Sequence, residues 1–389
     1  MTKQSLGLYI HWPFCKSKCP YCDFNSHVSS KIDHNEWLDA YLESLNNNID
    51  LLKSRNIPSI YFGGGTPSLM EPYVVEKILD KIASISGLSN IETTLETNPT
   101  SFEYNKFLDF KAAGINRISI GIQSFREKNL KFLGREHSLI EAQETLKQAS
   151  KIFDRFSFDL IYALPNQTVA DWEKDLKEAL NYSTTHISLY TLTIEKGTRF
   201  YKDYMDKKFI MPDEDLQYEF YNKTQEIMDA HGIVNYEVSN YAKPGFESQH
   251  NLCYWRYNDY LGIGPGAHSR ITSDHIYAMH EYYAPHEWLE NTMKGSGVRE
   301  KTLVTPKEAL LEMIMMNTRI LEPIYFDHIE HRTQYKINRY YNALNPLEEH
   351  GFIKFIYEAK EIIGFKVQKS GLSLQNSIAA KVIEVLENE

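Results

Sequence analysis

Residues 15–24 read Cys15-Lys16-Ser17-Lys18-Cys19-Pro20-Tyr21-Cys22-Asp23-Phe24 and hold three of the four cysteines of the chain. Their spacing is C-x3-C-x2-C, and thiolates from one tight loop can bind three irons of a cubane iron–sulfur cluster. No fourth cysteine follows at a short spacing, so one iron would stay open, as a catalytic metal site keeps an open position. The loop therefore predicts a [4Fe–4S] centre with room for one more ligand.

A structural zinc site is the alternative for these cysteines. Zinc sites are usually closed by four ligands, often supplied as two separated pairs. No second pair lies near the loop, because Cys253 is far away in sequence and His11 or His27 would be improvised ligands. Four cysteines with three in one loop also do not form a secreted disulfide framework. The pattern favours iron–sulfur chemistry in a reducing compartment.

Short β-rich runs alternate with amphipathic helical stretches through the first half of the chain. The predicted strands are Leu6–Ile10, Ser59–Phe62, Ile91–Thr97, Arg117–Gln123, Phe156–Leu164 and His186–Ile194. The predicted helices between them are Asn35–Ser54, Tyr73–Ile85, Phe102–Ala113, Leu139–Ser150 and Val169–Asn181. Strict alternation implies parallel strands with right-handed helical crossovers. Because the count stops short of eight, we expect an α/β fold with an open partial (β/α)6 barrel.

The pattern changes after the sixth strand, and three domains are predicted. Residues 1–200 form the partial barrel, residues 201–300 a loop-rich extension of it, and residues 301–389 a helical, winged-helix-like domain. The last domain is predicted from helices and a hairpin: Pro306–Arg319, Ile337–Glu349, Phe352–Tyr357, Ile362–Val367 and Leu374–Leu386. The extension is predicted to contain a helix over 213–230 and loops over 233–269.

Composition and charge exclude several classes of function. The net charge of −10 argues against a nucleic-acid surface, which needs clustered Lys and Arg. No apolar run is long enough to span a membrane. The first residues lack the apolar core of a signal peptide, so we expect a cytoplasmic location.

Polar and glycine residues follow the predicted strands at their carboxyl ends, where functional groups gather in such folds. The run Gly63–Pro67 follows the second strand, and Glu96 ends the third. Backbone without side chains lets polar main-chain groups approach a ligand closely. Gln123, Arg135 and Asp159 lie in or beside apolar strands, where burial is costly without partners. These residues predict a polar ligand site beside the cysteine loop.

With these motifs in place, the chain resembles the radical S-adenosylmethionine (SAM) superfamily. The resemblance implies that Cys15, Cys19 and Cys22 hold a [4Fe–4S] cluster whose open iron binds SAM. The low potential that such clusters reach suits reduction of a sulfonium. The resemblance also implies SAM contacts for a set of side chains and glycines: Tyr9, Tyr21, Gly64, Gly65, Thr66, Glu96, Gln123, Arg135 and Asp159. In one branch of the family, positions matching Gln123, Arg135 and Asp159 help to bind a second SAM.

Further features divide the coproporphyrinogen dehydrogenases (HemN) from the haem chaperones (HemW) within this branch. HemN has an additional cysteine where this chain has Phe24, and a long N-terminal extension where this chain starts its first strand at Leu6. The run His250-Asn251-Leu252-Cys253-Tyr254-Trp255 matches an H-N-x-x-Y-W motif of HemW. The chain therefore resembles the HemW-type haem chaperones along nearly its whole length.

This resemblance implies that the chain binds haem and delivers it. His250 is the predicted haem ligand, since imidazole is a common axial ligand, and Tyr254 and Trp255 would form aromatic walls. The alternatives are a structural, hydrogen-bonding role for His250 and ligation by Cys253.

Partners and competing functions follow from the same resemblance. The predicted partners are haem and haem-accepting proteins, with membrane-bound respiratory enzymes as one class and a peripheral position at the inner membrane face. A homodimer is one option, in which the cluster serves dimerisation or a redox release step. The alternative function is an oxygen-independent coproporphyrinogen III dehydrogenase of porphyrin biosynthesis, which decarboxylates propionates. A redox-regulatory winged-helix protein is a third hypothesis.

Overall fold

Six parallel strands from the first half of the chain form the centre of one sheet. The computed structural model describes residues 3–29, 31–87, 90–182 and 184–387. The strands are neighbours in chain order, with the bounds Leu6–Trp12, Ser59–Gly64, Glu92–Thr97, Arg117–Gln123, Arg155–Tyr162 and His186–Thr191. Most of their residues are buried, as expected for parallel strands that are covered on both faces. The predicted α/β fold with a partial (β/α)6 barrel is confirmed.

The connecting helices bury apolar side chains in the same core as these strands, except Glu127–Phe132, whose Phe132 packs against a smaller separate cluster. Their bounds are His34–Asn47, Ile49–Ser54, Pro72–Ser86, Ser101–Tyr104, Phe107–Ala112, Glu127–Phe132, Leu139–Ile152 and Val169–Leu180. Side chains of Asp33, Ser138 and Thr168 accept backbone N–H groups at three helix starts. Such caps contribute about 1 kcal/mol each, and Ser138 forms a full capping box with Glu141.

Two predicted helices are divided in the structure. The predicted helix over 35–54 is interrupted at Asn48, whose side chain donates a hydrogen bond of 2.9 Å to the carbonyl of Ser44. Asparagine competes with the helix for such backbone groups, which explains the break. The predicted helix over 102–113 divides between residues 104 and 107, and the helix Glu127–Phe132 was not predicted.

The sheet continues past the first strand into the stretch that was predicted to be rich in loops. Asp259–Ile263 pairs in parallel with Leu6–Trp12. Antiparallel strands follow on that side with the bounds His268–Thr272, Ile276–Glu281 and Val298–Val304, and the other edge carries Asn240–Ala242 and Val234–Asn235. The prediction of loops over 233–269 missed the strands that begin within that range, which are only two to five residues long and include polar residues. The resulting twelve-stranded sheet is open.

Helices of residues 199–293 attach this extension to the barrel. Their bounds are Arg199–Met205, Glu214–Ala230, Gln249–Trp255 and Pro285–Met293. Trp288, from the last of them, stacks on Trp37 with the ring centroids 5.6 Å apart. Both rings belong to the larger core, so the extension and the barrel share their packing.

The C-terminal residues form most of a second core, to which Tyr257 and Ile276 of the extension also contribute. Its helices are Pro306–Asn317, Phe326–Thr333, Asn345–Glu349 and Gln375–Leu386, and its antiparallel strands are Pro323–Tyr325, Ile353–Glu358 and Glu361–Val367. The predicted helix over 337–349 is correct only in its last part, Asn345–Glu349, and a 3-10 turn over Tyr341–Leu344 precedes it. The helix starts late because Pro346 lacks an N–H group and is tolerated only at a helix start. Among the described residues, no helix is long and apolar enough to cross a lipid bilayer.

Candidate functional site

The cysteine loop is fixed in place at the carboxyl end of the first strand. Its two sides, Phe14–Cys15 and His27–Val28, pair as a two-residue parallel ladder. Within the loop, the backbone N–H of Cys22 donates to the carbonyl of Cys19 at 3.1 Å. Gly134 lies so close to the loop that a Cβ there would come within 2.5 Å of the Pro20 Cδ. The loop therefore has little freedom to move its thiols.

The three thiols are a donor set suited to iron. Burial raises the pKa of the Cys15 thiol, the Thr66 hydroxyl lowers it, and the nearby Cys22 and Cys19 raise it again. Three neighbouring thiolates thus need a cationic group to offset their repulsion, and metal binding deprotonates such thiols. Among the residues that the structure describes, no three His, Cys, Asp or Glu side chains converge on a single ion. A cubane cluster differs from a single ion in this respect, since each thiolate binds its own iron.

A chain of hydrogen bonds connects two of the cysteines. Thr66 Oγ1 donates to Cys15 Sγ at 3.4 Å, and Asn98 Nδ2 donates to Thr66 Oγ1 at 3.0 Å. On the other side, Arg135 donates from Nη2 to Asn98 Oδ1 at 2.5 Å and from Nη1 to Cys19 Sγ at 3.4 Å. A guanidinium beside a thiolate sulfur stabilises its negative charge, so this network supports an anionic ligand set.

Glu96 provides a buried carboxylate beside the glycine run. Its Oε1 accepts from the Tyr61 hydroxyl at 2.8 Å, and its Oε2 accepts from the Gly64 N–H at 3.1 Å. Burial raises the pKa of Glu96 to about 7, although the bond from Tyr61 lowers it; the charge of Asp159 raises it further, and Arg117 lowers it. A cationic ligand beside this carboxyl would favour its ionised form.

Gln123 has two features that are typical of a residue at a polar ligand site. Its backbone has φ +70°, a left-handed conformation that is uncommon for a residue with a side chain. Its buried Oε1 atom accepts no hydrogen bond from the residues that the structure describes. Strained backbone and an unsatisfied buried acceptor are costly and cluster at functional sites. A ligand that carries an ammonium or hydroxyl group would supply the donor that this atom lacks.

A cavity of about 460 Å³ collects most of the predicted site residues, and this volume is typical of small-molecule sites. It is lined by Cys15, Cys19, Tyr21, Cys22, Gly64, Gly65, Thr66, Glu96, Gln123, Arg135 and Asp159. Tyr9 and His250 are not among its lining residues. Burial raises the pKa of Asp159 to about 6, offset by Ser188 and Arg117. We call this space the cluster cavity.

Sequence reasoning missed several residues of the cluster cavity. Tyr61, Asn98, Arg117 and Ser188 all line it. Asn98 directly follows the strand that ends at Thr97, so its position at a strand end was the signal available. Arg117 and Ser188 lie inside strands, where nothing in the sequence distinguishes an inward polar residue from a satisfied core residue.

A second cavity lies on the other side of Gly64 and Glu96. It is lined by aromatic rings, among them Tyr9, Tyr254 and Tyr260, and also by Phe24. Phe24, Gly64 and Glu96 line both cavities, so the two spaces are adjacent. We call the second space the aromatic cavity.

His250 lies buried behind the aromatic cavity, with a side chain on either side of its ring. Its Nδ1 is 3.0 Å from Ser59 Oγ, and its Nε2 is 2.9 Å from the Tyr254 hydroxyl. Its ring also stacks on Tyr61 at 4.8 Å between centroids. Burial lowers the pKa of His250 to about 3, so the imidazole is neutral.

The other two predicted haem contacts lie elsewhere. Trp255 packs under the guanidinium of Arg319, 4.7 Å from its ring centroid, and is not among the lining residues of either cavity. Cys253 is buried, with a pKa raised to about 12 by that burial, and its Sγ is 3.4 Å from the Asp259 carbonyl. Ligation by this thiol would require it to leave the core.

Comparisons with known proteins agree with this geometry. Residues 9–179 match the radical SAM superfamily, and residues 304–358 match the HemN C-terminal domain. The chain is 37% identical over 354 residues to the heme chaperone HemW of Buchnera aphidicola subsp. Schizaphis graminum, covering 90% of this chain and 92% of that protein. It is 42% identical over 270 residues to HemW of Escherichia coli K12, covering 69% and 70% of the two chains.

Two further matches extend the comparison. A mitochondrial radical S-adenosyl methionine domain-containing protein 1 from Danio rerio is 36% identical over 332 residues, covering 83% of this chain and 75% of that protein. The solved structure of HemN, the coproporphyrinogen III oxidase of Escherichia coli, superposes with a TM-score of 0.79. It is 20% identical and covers 97% of this chain and 90% of that one, so it shows the fold alone.

Proposed function

Since the chain belongs to the radical SAM superfamily and, within it, to the family of HemW haem chaperones, we propose that it binds haem and delivers it to acceptor proteins. Membership of the superfamily implies a [4Fe–4S] cluster and SAM. The proposed location of the haem is the aromatic cavity, and that of the cluster and SAM is the cluster cavity.

The observation that carries this proposal is the adjacency of the two cavities. One is lined by three thiols and polar strand ends, and the other by flat aromatic rings. A porphyrin is a large, flat, apolar ring, and aromatic side chains stack well on such surfaces. Phe24, which is 56% exposed and borders both cavities, is suited to contact haem. The adjacency gives one chain a place for each of its proposed ligands.

Residues of the chain have separate parts in the proposed SAM site. Cys15, Cys19 and Cys22 would hold the cluster, which supplies an open iron and an electron at low potential. Glu96 would accept hydrogen bonds from the SAM ammonium, next to the backbone of Gly64. Strong electrostatic pairing is expected there because the site is buried and its dielectric constant is low.

Ligation of haem by His250 stays a prediction. His250 Nε2 would have to release the Tyr254 hydroxyl, and the buried ring would have to reach past that side chain. The same contacts give His250 a supporting role, since it holds Tyr254 in the wall of the aromatic cavity. Acceptor proteins are proposed as a class, with respiratory haem enzymes the first to be tested.

Anaerobic reconstitution followed by haemin titration tests the proposal. We expect saturable haem binding by the wild type, measured from the shift of the Soret band. The triple variant Cys15→Ala, Cys19→Ala, Cys22→Ala should lose its iron and sulfide. The variant Cys253→Ala is the matched control for loss of a cysteine and should retain both.

Product analysis with coproporphyrinogen III and SAM distinguishes a haem chaperone from the alternative, a coproporphyrinogen III dehydrogenase. A haem chaperone should yield no vinyl-bearing porphyrinogen above the level of the triple cysteine variant. Conversion of propionates to vinyl groups, together with absence of saturable haem binding, would replace the chaperone by the dehydrogenase.

A further inference from the structure

The aromatic cavity contains one imidazole with free ring nitrogens. Two histidines line it, His11 and His268. The ring nitrogens of His11 lie 2.9 Å from the Tyr9 hydroxyl and 2.9 Å from the Asn25 carbonyl, so both are occupied. The ring of His268 makes no hydrogen bond to any part of the chain that the structure describes, and its side chain is exposed. His268 can therefore offer a lone pair to a ligand in the cavity without breaking an existing contact.

A second histidine stands directly beside His268 on the neighbouring strand. His268 and His280 are partners in the antiparallel ladder, and their ring centroids are 4.3 Å apart. The pair therefore sets a second imidazole in ring contact with the one that lines the aromatic cavity.

The backbone before His268 is held rigidly. A Cβ on Gly262 would lie 2.4 Å from the His268 carbonyl oxygen, so these strands are in close contact. Gly264 has φ +115°, and a Cβ there would lie 2.4 Å from the carbonyl oxygen of His11. Asn25 Nδ2 donates to the carbonyl of Pro265 at 2.9 Å, which ties the segment to the cysteine loop. A ligand held in this way loses little entropy when it binds, which favours affinity.

We propose that His268, with His280 beside it, provides the axial imidazole for the iron of haem in the aromatic cavity. This inference rests on the proposed haem-binding function. The macrocycle would lie against Tyr254 and Tyr260, whose rings pack edge to face at 4.6 Å between centroids. His250 then supports the wall through its bond to Tyr254 and does not touch the iron.

Spectroscopy of the full chain, with its cluster reconstituted, tests this assignment. Haemin is the probe, and the absorption and EPR signatures of the haem iron report its axial ligand. In His268→Ala we expect loss of the imidazole signature and a fall in haem affinity of at least roughly 10- to 100-fold, the loss that mutation of outer-shell partners already causes at metal sites. Millimolar imidazole should restore the wild-type spectrum. In His268→Met we expect a bound haem with a changed ligand signature.

Two other histidine variants separate ligation from support. His250→Ala should bind haem more weakly but keep the imidazole signature. His275→Ala, an exposed histidine on the turn of the same hairpin, is the matched control and should behave as the wild type. The inference is overturned if His268→Ala keeps the wild-type spectrum and affinity, or if His250→Ala is the variant that loses the imidazole signature. A wild type that binds no haem would overturn the proposed function as well.

Discussion

Binding of SAM is expected to weaken about tenfold between pH 8 and pH 6, because Glu96 takes up a proton in that interval. The ligand carries an ammonium and a sulfonium, so it binds to the ionised carboxyl and not to the neutral acid. Burial raises the pKa of Glu96 to about 7. The hydrogen bond from Tyr61 and the charge of Arg117 lower this pKa, and the charge of Asp159 raises it.

The magnitude follows from the titration of that one group. With a pKa of about 7, the ionised fraction is about 0.9 at pH 8 and about 0.1 at pH 6. The ratio corresponds to about 1.4 kcal/mol of binding free energy. Asp159, whose pKa burial raises to about 6, should add a further loss below that pH.

Equilibrium dialysis of labelled SAM against anaerobically reconstituted protein measures this effect at pH 6, 7 and 8. Glu96→Gln should bind more weakly at pH 8 and should keep only the dependence that comes from the ligand and Asp159. Glu76→Gln, which changes an exposed carboxylate on a barrel helix, is the matched control and should follow the wild type. Parallel pH profiles for wild type and Glu96→Gln would refute the role of this carboxyl.

Three other predictions concern the surroundings of the cavities. Asn98→Ala removes the link between Thr66 and Arg135, and loss of a hydrogen bond to a charged group typically costs about 1.5–3 kcal/mol. The iron content after gel filtration should therefore fall. An unchanged iron content would show that the link is dispensable. Burial raises the pKa of Glu281 to about 8, although Trp288 donates to it, so the folded state keeps a proton that the unfolded chain releases. The unfolding free energy should therefore fall as pH rises from about 4.5 to about 8, and thermal melts of Glu281→Gln should show a flatter dependence than wild type, whereas equal slopes would contradict the assignment. Asn25→Ala should weaken haem binding about tenfold in titrations at matched iron content, because it frees the carbonyl of Pro265. A wild-type affinity would argue against a rigid backbone before His268.

The cluster cavity could be predicted from sequence because its residues obey a local rule. Glu96, Gln123 and the run Gly63–Pro67 each follow or end a strand, and parallel strands bring those ends to one edge. The cysteine loop is likewise contained within eight residues. Proximity along the chain was sufficient for the cysteine loop. The repeating topology was sufficient for Glu96, Gln123 and the run Gly63–Pro67, although they come from different strands.

Other features depend on contacts between distant parts of the chain. Asp259–Ile263 extends the sheet by pairing with the first strand, about 250 residues away, and its five residues include polar and Gly positions. The surroundings of His250 also depend on a distant contact, because Ser59, which lies beside its Nδ1, is 191 residues earlier in the sequence. A histidine with occupied nitrogens cannot be distinguished from a free one, such as His268, without the fold. Sequence motifs therefore predict the region of the proposed haem site more readily than they predict its ligand.

The kinetics of haem transfer test most directly whether this protein is a haem chaperone. The haem-loaded, reconstituted protein would be mixed with increasing concentrations of the apo-form of a respiratory haem protein, and transfer followed by absorption. Direct delivery predicts an observed rate that rises with acceptor concentration, because the two proteins must meet before haem moves. A rate independent of acceptor concentration would mean that haem is simply released into solution, and would contradict a chaperone function.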